Sequence, residues 1–228
     1  MKRSQINAII KKSMEFLNEM NFKLPPFAYW SAEDWKSRGP EYDEIRENML
    51  GWDVTDYGGG DFGNLGLVLF TIRNGNSKMP GKYKKPYAEK LVILEETQTS
   101  PLHFHWNKTE DLINRGGGNL LVTVYTADEN EGLSGNPVCL SVDGRNVTVP
   151  PGTVVKLTPG ESITFTPFQY HALSVEKGTG RLLMGEVSVV NDDNSDNRFY
   201  QKTGRFPEIE EDEAVLYPLC NEYDKVNI

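Results

Sequence analysis

The 228-residue chain has only three histidines, His103, His105 and His171. The first two stand in Pro101-Leu102-His103-Phe104-His105-Trp106, and Glu110 follows five residues after His105. On a strand, residues i and i+2 point to one face. Both imidazoles would then project into one interior, with Phe104 and Trp106 facing the other way. Glu110 can return to the same point from the next turn or strand. His171 ends Thr166-Pro167-Phe168-Gln169-Tyr170-His171, just after a strong strand pattern. Three imidazoles and one carboxylate suit a divalent transition ion such as Mn²⁺, Fe²⁺, Co²⁺, Ni²⁺ or Zn²⁺. Any one of these histidines alone is more readily an ordinary core or surface residue. The set as a whole favours a metal site, because none of the chain's histidines falls outside it.

These residues need a scaffold, and the chain supplies two textures. The first fifty residues read as helical. Ser4 is a candidate N-cap, and Ile6, Ile9, Ile10, Leu17 and Met20 fall mostly on one face. Pro25-Pro26 ends that helix. Ser31 to Asp34 resembles a capping box opening a short helix to about Arg38, and Pro40 can start a third running to about Met49. From residue 51 onward the pattern is strands. β-Branched or alternating runs cover 65–73, 90–95, 120–127, 138–142, 154–157, 162–165 and 182–190, separated by Gly, Pro, Asn and Asp clusters. No βαβ alternation appears, so a sandwich or barrel is expected rather than a parallel α/β fold. We read residues 1–228 as one domain, with 1–50 a helical extension and 51–228 a β-barrel and tail. The acidic stretch at 208–213 is either a final helix or a solvated loop.

Composition narrows the function classes. Lys plus Arg number 24 against 33 Asp plus Glu, a formal charge of −9. That balance argues against a nucleic-acid partner or an anionic membrane surface. The longest apolar stretch, within 65–72, is far too short to span a bilayer. Charges at Lys11, Lys12 and Glu15 interrupt any secretory signal pattern. Cys139 and Cys220 show no metal or redox spacing and are expected to be reduced and partly buried. The expectation is a cytoplasmic protein.

The His-x-His, Glu110, the glycines at 116–118, and Pro167 with His171 resemble the two motifs of the cupin superfamily. That resemblance implies a mainly β, cupin-type jelly-roll (double-stranded β-helix) barrel, here with an N-terminal helical extension. Thr97 stands where the first motif usually has glycine, and the second motif lacks the glycine that usually follows its proline. Beyond the superfamily, nearly the whole chain resembles the bacterial D-lyxose isomerase family. The carrying stretches are Met1-Lys2-Arg3-Ser4, Leu24-Pro25-Pro26-Phe27-Ala28-Tyr29-Trp30, His103-Phe104-His105-Trp106, and Thr203-Gly204-Arg205-Phe206-Pro207-Glu208.

The resemblance implies a manganese-dependent aldose–ketose isomerase. It would convert D-lyxose to D-xylulose and D-mannose to D-fructose, with His103, His105, Glu110 and His171 holding Mn²⁺ or another divalent transition metal. It also raises Lys90, Lys108, Asp193 and Arg205 as sugar-contacting or acid–base residues, without selecting the base. Each has a competing reading. Lys90 follows Glu89 and would by default be solvated, Lys108 sits in a turn, Asp193 lies in a polar run, and Arg205 could pair with the acidic tail. Phe168 and Trp106 could wall a sugar site, although core packing is the commoner fate of such rings. The partner expected is a small sugar, and the assembly a homodimer. The alternatives are a cupin dioxygenase, which needs O₂, and a non-enzymatic sugar-binding cupin.

Overall fold

The computed structural model describes residues 1–224. Among these residues three α-helices precede the sheets: α1 (Arg3–Glu19), α2 (Ala32–Trp35) and α3 (Asp43–Glu47). Thirteen strands follow: β1 (Gly51–Thr55), β2 (Leu67–Arg73), β3 (Tyr87–Leu94), β4 (His103–Phe104), β5 (Glu110–Gly117), β6 (Leu120–Thr126), β7 (Val138–Val142), β8 (Arg145–Val149), β9 (Thr153–Leu157), β10 (Ser162–Phe165), β11 (Gln169–Val175), β12 (Leu182–Val189) and β13 (Arg198–Phe199). They form two antiparallel sheets. One runs β1-β2-β3-β12-β5-β10-β7-β8 and the other β13-β4-β11-β6-β9. This is the expected mainly β, cupin-type jelly roll with its helices at the N-terminal side.

The layers follow from alternation. Leu67, Leu69, Val92, Leu94, Leu112 and Met184 point between the sheets, where they meet Leu120, Val122 and Val124 of β6. Their neighbours Val68, Phe70, Leu91, Ile93 and Leu183 point outward to Ile6, Ile10 and Leu17 of α1. Strands β2, β3 and β12 are therefore apolar on both faces over 67–70, 91–94 and 182–184. Strand β5 escaped the sequence pattern because its inward positions alternate Glu110, Leu112 and Asn114. Asn114 is accommodated by donating to the carbonyls of Gly118 and Leu157 and accepting from the Gly116 N–H. The turn after β5 needs glycine. Gly117 has φ +78°, and a Cβ there would lie 2.1 Å from the Arg181 carbonyl oxygen.

Several local expectations are corrected. Helix α1 is capped at Lys2 rather than Ser4, and the Lys2 N–H donates to Gln5 Oε1 at 2.9 Å. The Ser4 hydroxyl is engaged elsewhere, donating to Asp212 at 2.7 Å. The acidic stretch at 208–213 is the solvated loop of the two alternatives, not a helix, but it is tied down. It lies across the start of α1, where the Arg3 N–H donates to the Glu210 carbonyl and the Ser4 N–H to Asp212. Negative charge is favoured at that end of a helix. The Ser31–Asp34 box forms as expected, but α2 ends at buried Trp35, short of Arg38. The third helix divides into a 3₁₀ turn, Pro40–Tyr42, and α3. Cys220 is buried but Cys139 is exposed, and both are free thiols. Among the described residues, no helix is long and apolar enough to cross a membrane.

Candidate metal and sugar site

His103 lies on β4 and His171 on β11, directly opposite each other in the antiparallel register. His105 follows β4, and Glu110 opens β5 in the facing sheet. The two sheets thus meet at these four side chains. The ligand nitrogens of the three histidines lie within 4.8 Å of one another. Glu110 Oε1 stands 3.2 Å from His105 Nε2 and 3.1 Å from His171 Nε2.

The protonation pattern explains the cluster. His103 Nδ1 donates to the Pro101 carbonyl, His171 Nδ1 to the Gln169 carbonyl, and His105 Nδ1 to the Asp196 carbonyl. A carbonyl only accepts, so each ring carries its proton on Nδ1 and turns a bare Nε2 lone pair inward. Burial, together with His171 and His105 nearby, holds His103 well below the ordinary histidine pKa, which keeps the ring neutral. Glu110 is buried as well. Burial alone would raise its pKa, but the Lys108 ammonium outweighs it and holds the carboxyl well below the usual range. Acceptors therefore face acceptors, and His105 Nε2 and Glu110 Oε1 are buried without a hydrogen-bond partner. Leaving such atoms unpaired costs free energy. A divalent cation satisfies them, so the residues present fit the ion that the motif implies.

Around this cluster runs a buried chain of alternating charge. Lys108 Nζ contacts Glu110 Oε2 at 2.6 Å and Glu186 Oε1 at 2.9 Å. Lys90 Nζ lies 3.8 Å from Glu186 and 3.1 Å from Asp193. Arg205 then pairs with Asp193 at 3.4 Å and with Asp53 at 2.6 Å. Strand pairing creates the middle of the chain, because Lys90 and Glu186 are direct partners in the β3–β12 ladder. Burial works against the Lys108 charge, yet Glu110 and Glu186 together raise its pKa above the lysine norm. Burial likewise opposes the Arg205 and Asp193 charges, but each keeps its charge through its partners. Asp53 goes the other way, because burial pushes its carboxyl up despite Arg205.

All eight residues singled out from the sequence line one cavity of about 50 Å³. The solvated readings of Lys90 and Lys108 do not hold, since their side chains are 2% and 3% exposed. Arg205 pairs with Asp53 and Asp193 rather than with the acidic tail. The aromatic wall is corrected. Neither Phe168 nor Trp106 lines this cavity. Phe168 is half exposed and packs on Phe104, on the opposite face of β4, and Trp106 Nε1 donates to Glu131. Sequence reasoning missed Glu186 and Asp53. The available signal was a lone acid within an apolar strand run, as in Leu182-Leu183-Met184-Gly185-Glu186-Val187.

A family model described as D-lyxose isomerase matches residues 1–223. A D-lyxose/D-mannose isomerase of Serratia proteamaculans is 47% identical over 227 residues, covering 98% of each chain. One of Escherichia coli O157:H7 is 45% identical over 225 residues, again covering 98% of each. Among solved structures, an Acinetobacter sp. DL28 L-ribose isomerase in complex with L-ribose superposes with TM-score 0.61 at 13% identity, covering 92% of this chain and 98% of that one. A Cellulomonas parahominis L-ribose isomerase with L-psicose gives TM-score 0.58 at 14% identity with the same coverage. The structural likeness concerns the fold, whereas the full-length match in sequence reaches the family: this chain belongs to the D-lyxose isomerase family.

Proposed function

We propose that the protein is a divalent-metal-dependent aldose–ketose isomerase acting on D-lyxose and D-mannose. His103, His105, Glu110 and His171 would hold the ion, with Mn²⁺ the expected metal. The observation that carries this reading is the convergence of bare Nε2 atoms on Glu110 Oε1, with two of those buried atoms unbonded. When bound, the ion supplies a Lewis acid that polarises the sugar carbonyl.

The chain's own residues supply the rest. Isomerisation moves a hydrogen between C2 and C1 of an open-chain sugar. Lys108, Lys90 and Arg205 are each held between carboxylates. Their role is to donate hydrogen bonds to sugar oxygens rather than to remove protons. Asp193 stands farther from Glu110 along the charge chain, between Lys90 and Arg205. Glu186 remains, one ammonium away from Glu110 through Lys108. We assign it the carbon-to-carbon proton transfer, taking the C2 proton of the aldose and returning it at C1 through an enediol, while the hydroxyl proton passes from O2 to O1. Leu69, Val92 and Met184 wall the same cavity and keep water from the reacting carbons. The location we expect is the cytoplasm and the assembly a homodimer, the commonest closed symmetry.

The test is turnover of D-lyxose and D-mannose under argon with Mn²⁺, with and without chelator. Ketose formed without oxygen and lost on chelation supports the reading. Absence of ketose across several metals and aldoses overturns it. His171→Ala should stay folded by circular dichroism while losing most bound metal by elemental analysis. Full metal content in that variant would refute the ligand assignment.

A further inference from the structure

The three histidines are oriented in two different ways. His103 and His171 each donate Nδ1–H to a carbonyl two residues earlier in their own segment, those of Pro101 and Gln169. Those bonds form whenever β4 and β11 form. His105 instead donates to the carbonyl of Asp196, ninety-one residues away in the connection between β12 and β13. That connection is pinned back onto the histidine segment by its own side chain. Asp196 Oδ1 accepts from the Trp106 N–H at 2.9 Å, the Asn107 N–H at 3.0 Å and Asn107 Nδ2 at 3.2 Å. One buried aspartate thus supplies the acceptor for His105 through its backbone and fixes the position of that acceptor through its carboxylate.

From this double contact we infer that Asp196 is a positioning residue for the metal ligand His105, setting the direction of its Nε2. The inference rests on the metal reading above. Asp196 touches neither the cluster of Nε2 atoms nor the cavity, so it acts only through His105. Asp192, in the same connection, provides the contrast. It accepts from the Asn194 N–H and the Ser195 hydroxyl and pairs with Lys78. It makes the same kind of loop-ordering bonds, but with no link to the histidine segment.

The experiment titrates Co²⁺ and Mn²⁺ into the metal-free protein by calorimetry, with the Co²⁺ visible absorption as a record of ligand geometry. Loss of a partner that orients a metal-bound histidine typically costs ~10–100-fold in affinity. Asp196→Ala should show a loss of that order and an altered Co²⁺ spectrum. Asp196→Asn keeps an oxygen acceptor toward Trp106 and Asn107 and should recover most of the affinity, and it also serves if the alanine variant fails to fold. Asp192→Ala should bind as the wild type does. Wild-type affinity and spectrum in Asp196→Ala overturn the inference. So does an equal loss in Asp192→Ala, which would mean loop order alone, or a loss that Asp196→Asn does not recover. A wild type that binds neither ion overturns the metal reading itself, and this inference with it.

Discussion

Lys108 and Glu110 form a buried ion pair, with Nζ 2.6 Å from Oε2, while the other carboxylate oxygen faces the histidines. One carboxylate therefore serves two cations, the ammonium on one side and the proposed ion on the other. Removing one partner of a buried pair is destabilising by about 3–5 kcal/mol. In metal-free Lys108→Met, Glu110 and Glu186 lose their shared counter-charge, and the unfolding midpoint should drop accordingly. Bound Mn²⁺ replaces part of that charge. The stabilisation on adding Mn²⁺ should be larger in the variant than in the wild type, measured as paired thermal or urea midpoints. An equal metal-induced shift in both proteins would contradict this.

Glu186→Gln keeps the shape of the side chain and an oxygen acceptor for Lys108 but cannot take a proton. General acid–base catalysis contributes typically ~10²–10⁴-fold. The turnover number should fall by that order, with metal content unchanged by elemental analysis. In D₂O the wild type should place solvent deuterium at C1 of the ketose. Product free of deuterium in the wild type would instead indicate hydride transfer and remove the role given to Glu186.

Stability of the metal-free protein should decline as pH falls. His103 is held well below its ordinary value by burial and by His171 and His105, so the unfolded chain takes that proton first. Its contribution is lost as pH drops below ~6.5. Glu110 and Asp193, whose lysine and arginine partners outweigh their burial, also sit well below the usual range. They stabilise above ~4, and this is lost as pH falls toward their folded-state values. Asp53, raised by burial, acts in the opposite sense between its ordinary and raised values. Urea midpoints should therefore fall from pH 7.5 to 5 and fall again below 4. A midpoint that is flat or rises over the upper interval would count against the buried neutral histidine.

Arg205 is 13% exposed and holds Asp53 and Asp193 together. Arg205→Ala strands Asp53 and leaves Asp193 to Lys90 alone, at a cost of about 3–5 kcal/mol. Adding Asp53→Asn should restore part of it, with a coupling energy of ~0.5–3 kcal/mol. Strict additivity of the two changes in a urea double-mutant cycle would show that the pair is not coupled.

Residue types and their short-range spacing were sufficient for much of this protein. Alternation and turn residues announced the β architecture, and His-x-His with Glu110 and His171 marked side chains that the fold brings together. Both signals are local, since strand geometry alone aims residues 103 and 105 together. The charge chain lies beyond local reach. Lys90, Glu186 and Asp193 become neighbours only because β3 pairs with β12, and Arg205 joins them only because Asp53 faces inward from β1. In the sequence Lys90 and Asp193 sit beside polar neighbours and look like solvated surface. Glu186 and Asp53 were missed for the converse reason, as single acids within apolar strands whose partners are distant in the chain. Asp196 is the clearest case. Its polar surroundings read as an exposed loop, whereas the fold brings its carbonyl to His105 from ninety-one residues away. The sequence by itself determined which chemistry was available and which elements carry it. Only the tertiary structure decided which charges meet in a cavity away from water, where pairing rather than solvation satisfies them.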